Sequence, residues 1–231
     1  MIHEIQNPKT PVAGARERPI ICTAGSVRVI QGGEKTQTRR VVKPQPPNGF
    51  LPWNYDGALQ SIWTKGGKSY PDVRGVTHGD VVTIRNPYGQ PGDRLWVRET
   101  WALGAGTFQT WDTPMSPPLP GGARNPVIYR ANGLLNDSDF RWRSPIHMPR
   151  WASRIILEIV NVAVERLQNI TVPAAKAEGA DPYLVRRTGA SRIGYLQAFV
   201  NGWDSINKPR GFGWDVNPWV WVLLFKLLVT K

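Results

Sequence analysis

The sequence predicts an α+β domain in which short strands dominate and two irregular insertions interrupt the order. Three observations carry this expectation. Turn residues feed alternating or apolar runs at 79–84 and 91–101, the usual lead-in to a strand. Runs at 154–160, 162–167 and 219–228 have the β-branched and aromatic composition of strands. Helix signals are confined to three stretches, and proline and glycine crowd 44–78 and 102–146, the two insertions.

Taken in order, residues 1–18 are polar, carry Pro8 and Pro11, and read as a flexible leader. They lack the apolar core and cleavage site of a signal peptide. A single domain is expected over 19–231. Residues 20–23 suggest a first strand and 26–31 a short helix closed by Gly32 and Gly33. The next stretch, Lys35 to Arg40, reads as a strand with Lys35, Gln37 and Arg39 on one face and Thr36, Thr38 and Arg40 on the other. Alternation fails in the glycine turn, which leaves room for Lys35 and Thr38 to converge. Pro44, Pro46, Pro47 and Asn48 then break regular structure, and the first insertion is expected to hold at most a hairpin or two.

In the 94–101 strand, Leu95, Val97 and Glu99 share one face, and Trp96, Arg98 and Thr100 the other. Neither is cleanly apolar, so one side is expected to line a polar cleft. The second insertion contains the proline-rich 104–126, a short strand near 127–130 and a basic-aromatic turn at 141–145. A loop of that length is more often functional than decorative. Two consecutive strands follow, at 154–160 and 162–167. Thr171 as N-cap, Pro173 just inside and Gly179 as terminator mark a short helix. Glu178 at its end opposes the helix dipole and calls for a compensating contact. Residues 193–206 form a longer helix with Leu196, Phe199, Val200 and Trp203 at core spacing. A strand at 219–228 closes the chain, and no internal repeat is found.

Twenty-nine lysines and arginines against 17 acidic residues give the 231-residue chain a net charge of +12. The excess favours a polyanionic partner, with nucleic acid the commonest. The basic residues are dispersed, which predicts a folded basic face and not a disordered arm. The single cysteine, Cys22, forms no intrachain disulfide and suits a reducing cytoplasm. Within its apolar run it is expected to be a buried hydrophobe. His3, His78 and His147 lie in no ligand-spaced pattern, so neither metal nor cofactor is expected. The most apolar segment, 219–229, is too short for a bilayer and contains Lys226, so no membrane partner is expected.

The short helix, the motif G-x-K-T-x-T-x-R at 33–40, the small strands, the A-x-x-E helix at 175–178 and the aromatic last strand together resemble an ASCH domain. The stretches R-P-I, K-T-Q-T-R-R-V-V-K-P, P-G-D-R-L-W-V-R-E-T-W, I-H-M-P-R-W-A-S-R-I and N-P-W-V-W-V resemble the ASCH-like proteins of tailed phages and prophages, and they run from Arg18 to Phe225. The resemblance implies the PUA-like superfamily: a small mixed β-barrel with flanking short helices, whose members mostly handle RNA or modified nucleotides. It also implies a site. Small bacterial ASCH enzymes that hydrolyse N4-acetylcytidine are similar at a lysine, a threonine three residues later and a glutamate on the short helix, which are Lys35, Thr38 and Glu178 here. Arg40 matches the arginine that follows, and Gly33 the motif's glycine.

In such an amidohydrolase Thr38 attacks the acyl carbonyl or orients water to do so. Lys35 serves as base if its surroundings depress its pKa, and otherwise as a fixed donor to the oxyanion. Glu178 holds the lysine or protonates the leaving amine. A purely structural alternative is a Lys35–Glu178 salt bridge closing the barrel, with Thr38 satisfying a backbone group. Arg39 is assigned to solvent. Arg94, Arg98, Arg150 and Arg154 are candidate phosphate contacts, since arginine forks match phosphate oxygens.

Trp53, Tyr55, Trp63, Trp111 and Trp142 lie in irregular or basic stretches and are candidates for stacking on bases or for small insertion cores. Trp96, Trp101, Trp151, Trp203, Trp219 and Trp221 are read as packing residues. Three functions remain open. The first is hydrolysis or recognition of an N4-acylated cytidine-type nucleoside or nucleotide. The second is binding of nucleic acid, RNA before DNA, without catalysis, or cleavage as a ribonuclease. The third is a phage protein that meets a host protein or a nucleotide signal in the host cytoplasm.

Overall fold

A computed structural model describes residues 14–54, 60–65, 81–103, 127–133, 140–181 and 194–230. It is a mixed α+β structure built on a mostly antiparallel sheet. The strands are β1 (Glu17–Ile21), β2 (Gln37–Val41), β3 (Phe50–Asn54), β4 (Gln60–Lys65), β5 (Val81–Arg85), β6 (Arg94–Arg98), β7 (Trp101–Leu103), β8 (Val127–Tyr129), β9 (Ile155–Arg166) and β10 (Trp219–Thr230). The helices are α1 (Ala24–Gln31), α2 (Val172–Ala177) and α3 (Tyr195–Asn207). The main sheet runs β1-β6-β9-β10-β2; β1 and β6 are parallel and its other pairs antiparallel. A three-stranded sheet β3-β4-β5 and a β7-β8 pair stand beside it. β1 starts at Glu17, two residues before the expected boundary, and β3 and β4 lie within the first expected insertion.

The Thr171 cap and the glycine terminators are the ones the sequence suggests, whereas Thr23, read as the end of the first strand, caps α1. The Thr23 side chain accepts from Ser26 N at the start of α1, and Gly33, with φ of 76°, turns the chain out of it. The Thr171 side chain accepts from Ala174 N at the start of α2, and Gly179, with φ of 75°, ends the turn.

One expectation is corrected by the main sheet. The two strands expected at 154–160 and 162–167 are one strand of 12 residues, β9. Leu224 pairs with Asn161 and Phe225 with Ile159, so Val160 is an extra residue, a β-bulge. The bulge reverses parity: Ile155, Leu157 and Ile159 are buried before it, and Val162 after it. All four reach the same core, and the broken alternation therefore mimics two strands.

Two cores lie on opposite faces of the sheet. One gathers Ile20, Val27, Ile30, Leu95, Val97, Leu157, Ile159, Trp221 and Leu223 under α1. The other packs Phe199 and Trp203 of α3 and Ala175 of α2 against Val220 and Val222 of β10. Trp219 and Trp221 are buried as expected. Trp151 is 38% exposed, and Trp96 is half-buried on the sheet face away from the α1 core, so neither is a core residue. Trp142 is half-buried beside Phe140. Tyr55 and Trp111 lie outside the described residues, as do the side chains of Trp53 and Trp63.

Candidate functional site

The edge strand β2 has two faces with different chemistry. Its register against β10 sets them: Arg39 lies opposite Val222, in the α2–α3 core, and Thr38 opposite Leu223, in the α1 core. Gln37 and Arg39 therefore turn toward α2. Gln37 Nε2 donates to Ala174 O at 2.8 Å. The backbone joins there too, with Thr36 N donating to Ala177 O at 3.0 Å.

On this side a buried ionic network forms. Lys35 Nζ donates to Glu178 Oε2 at 3.0 Å and to the Glu178 carbonyl oxygen. Arg39 Nη1 donates to the other carboxylate oxygen, Oε1, at 3.0 Å. The same guanidinium reaches Glu165 Oε1 through Nε at 3.0 Å and Nη2 at 2.6 Å. Lys35, Arg39 and Glu178 are all buried. The solvent assignment of Arg39 is thus corrected: its guanidinium lies between two carboxylates, with the Phe199 ring 6.0 Å away. The odd position of Glu178 has its compensation in these two cations. Each carboxylate oxygen of Glu178 has a cationic donor, and two of the three ammonium protons of Lys35 are engaged.

Thr38 and Arg40 occupy the opposite face. Among the described residues Thr38 Oγ1 has no hydrogen bond to Lys35, Glu178 or a backbone group, although the residue is buried. The Arg40 guanidinium spans from β2 to the other sheet edge, donating from Nη2 to Ile21 O of β1 at 2.6 Å, while its buried Nε has no partner. Cys22 and Tyr88 are the neighbours that feel these cations. Burial pushes the Cys22 thiol up, against the opposite pull of Arg40 and Lys35, and burial likewise raises the Tyr88 phenol against Arg40. Gly33, in the αL region beside the network, has open space where a Cβ would sit.

Three of the four remaining candidate arginines bind within the protein. Arg154 forms a buried two-pronged pair with Glu99, at 2.9 and 3.0 Å, and donates to Asn132 Oδ1 at 2.8 Å; the Tyr129 ring stacks 3.9 Å away. Burial raises the Glu99 carboxyl and Arg154 opposes that rise. Arg98 donates to the carbonyls of Met148 and Ile146, and Arg150 pairs with Glu17 at 2.8 Å. Arg94 is half-buried on β6, opposite Glu17 in register.

Sequence reasoning missed Arg39, Gln37 and Glu165. The alternation that puts Lys35, Gln37 and Arg39 on one face was a usable signal for the first two. Glu165 reaches the α2 face through the β9–β10 register, in which it lies opposite Val220, and that register is not visible in local sequence. Among the described residues no group of three or more His, Cys, Asp or Glu side chains is placed to hold a metal ion, and no helix is long and apolar enough to cross a membrane. Comparison with family models, with curated proteins and with solved structures gives no match for this chain.

Proposed function

We propose that this chain is an ASCH-like, nucleotide-handling protein of the PUA-like class, working in a cytoplasm, and that it hydrolyses the N4-acyl amide of a cytidine-type nucleoside or nucleotide. The observation that carries the reading is the meeting of Lys35 and Glu178, 143 residues apart in sequence, at 3.0 Å in a buried site. Among the described residues the main sheet is not closed into the expected barrel: β1 and β2 are its edges, and only the Arg40 side chain reaches from one to the other, at Ile21 O.

In this reading the roles fall to the buried pair. Glu178, with both oxygens engaged, holds the Lys35 ammonium in place, and the third ammonium proton is available to an oxyanion. A water attacks the acyl carbon, and Thr38, on the opposite face of β2, is not placed to orient it. Collapse of the tetrahedral adduct breaks the C–N bond; one water proton leaves on the amine and the acyl group departs as a carboxylic acid.

A second reading, binding of nucleic acid without turnover, is favoured by the net charge of +12. The test separates them. Wild type and Lys35→Ala are incubated with N4-acetylcytidine, and cytidine release is followed by chromatography; the variant should be slower by about 100-fold or more, the usual cost of a lost oxyanion donor. Absence of turnover of every N4-acylated nucleoside by folded wild type, together with salt-dependent RNA binding, would select the second reading.

A further inference from the structure

The sheet face that carries α2 and α3 is covered unevenly. Those helices pack against β10, β2 and the 163–167 end of β9. Over β1 and β6 that face carries no α-helix among the described residues, only the 145–152 segment, whose Arg150 lies over Trp96 and whose Ile146 and Met148 carbonyls accept from Arg98. Its residues are Arg94, Trp96 and Arg98 of β6, beside Glu17, Pro19 and Ile21 of β1. The opposite parity of β6 is fully buried, with Leu95 and Val97 at 0% and 1% exposure, so Trp96 is not needed to fill the core.

Two guanidinium groups flank the Trp96 ring, Arg98 at 5.2 Å and Arg150 at 6.0 Å from its centroid. Both are pre-positioned by bonds that use only part of their donors. Arg98 spends Nε and Nη2 on the carbonyls of Met148 and Ile146, and Arg150 spends Nε on Glu17. Among the described residues, Nη1 of Arg98 and Nη1 and Nη2 of Arg150 have no hydrogen-bond acceptor. A half-buried indole beside two positioned, partly free arginines offers a stacking surface and phosphate donors together.

We propose that this face binds single-stranded nucleic acid, with a base stacked on Trp96 and backbone phosphates held by Arg98 and Arg150. The inference rests on the nucleic-acid reading above and gives it a location apart from the Lys35–Glu178 site. Sequence-tolerant stacking with arginine contacts to the backbone is the established physical mode for such strands.

The test is fluorescence anisotropy with a labelled 12-nucleotide oligouridine and a DNA oligothymidine of equal length, at several salt concentrations. Full-length wild type is compared with Trp96→Ala, Trp96→Tyr and Arg150→Ala, each checked for folding by circular dichroism. Trp96→Ala should weaken binding by roughly 5- to 100-fold and Trp96→Tyr by much less, because stacking survives in the tyrosine. Arg150→Ala should lower the salt slope by about 0.7. Should Trp96→Ala fail to fold, the tyrosine and arginine variants decide. Wild-type binding retained by Trp96→Ala and Arg150→Ala would overturn this site while leaving the nucleic-acid reading intact. No binding of either strand by wild type would overturn both.

Discussion

Arg39 shows how one residue's environment rewrites its role. Next to Arg40 in sequence but on the other face of β2, it reads as a solvent-facing residue, yet it lies buried between two carboxylates. Arg39 neutralises Glu178 and Glu165 together. Removing one partner of a buried pair leaves an uncompensated charge, so Arg39→Ala should cost about 3–5 kcal/mol in urea unfolding. A loss within a few tenths of a kcal/mol would place Arg39 outside the network. Cys22 gives a second residue-scale expectation. Because burial raises its thiol, less thiolate is present at a given pH than in a free cysteine, and alkylation of native protein at pH 8 should be far slower than in urea. Equal rates would contradict its burial.

The elements were legible where capping and alternation agree. Thr171 and Gly179 bracket α2, so it could be read from both ends, and α1 only from its glycine end, because Thr23 reads as part of the first strand. What escaped was the single strand β9. Local pattern shows that alternation fails at Val160 and Asn161, but only the cross-strand register reveals that failure as a bulge instead of a turn. Gly179 ties the α2 terminus to the site. A Cβ there would lie 2.7 Å from Val29 Cγ2 and 3.3 Å from Lys35 Cβ, and its φ of 75° is itself unfavourable for other residues. Gly179→Ala should therefore lower the melting temperature and shift Lys35. An unchanged melting temperature would mean that α2 is free to yield.

For the whole molecule, the sequence pointed to an α+β class, and Lys35 and Glu178 could be paired by resemblance. The three-dimensional route between them could not, because it runs through the β2–β10 register and the docking of α2. The second polar cluster, Glu99 with Arg154, joins the end of β6 to the start of β9. Arg154→Ala should leave Glu99 buried and unpaired, at a cost of about 3–5 kcal/mol near neutral pH. Burial alone then acts on Glu99 and raises its folded pKa, so the folded state binds the proton more tightly than the unfolded one. The variant's deficit should accordingly be small below the ordinary glutamate range and grow as pH rises through the raised value. A deficit that grew toward acid would reverse the sign of the account.

The proposed activity stands or falls on chemistry at Lys35. The most direct measurement is the rate of cytidine release from N4-acetylcytidine by purified wild type beside Lys35→Ala of equal folded content. Turnover by the wild type and a loss of about 100-fold or more in the variant is the expected result. Equal rates in the two proteins, or none from the wild type, would contradict hydrolysis at this site.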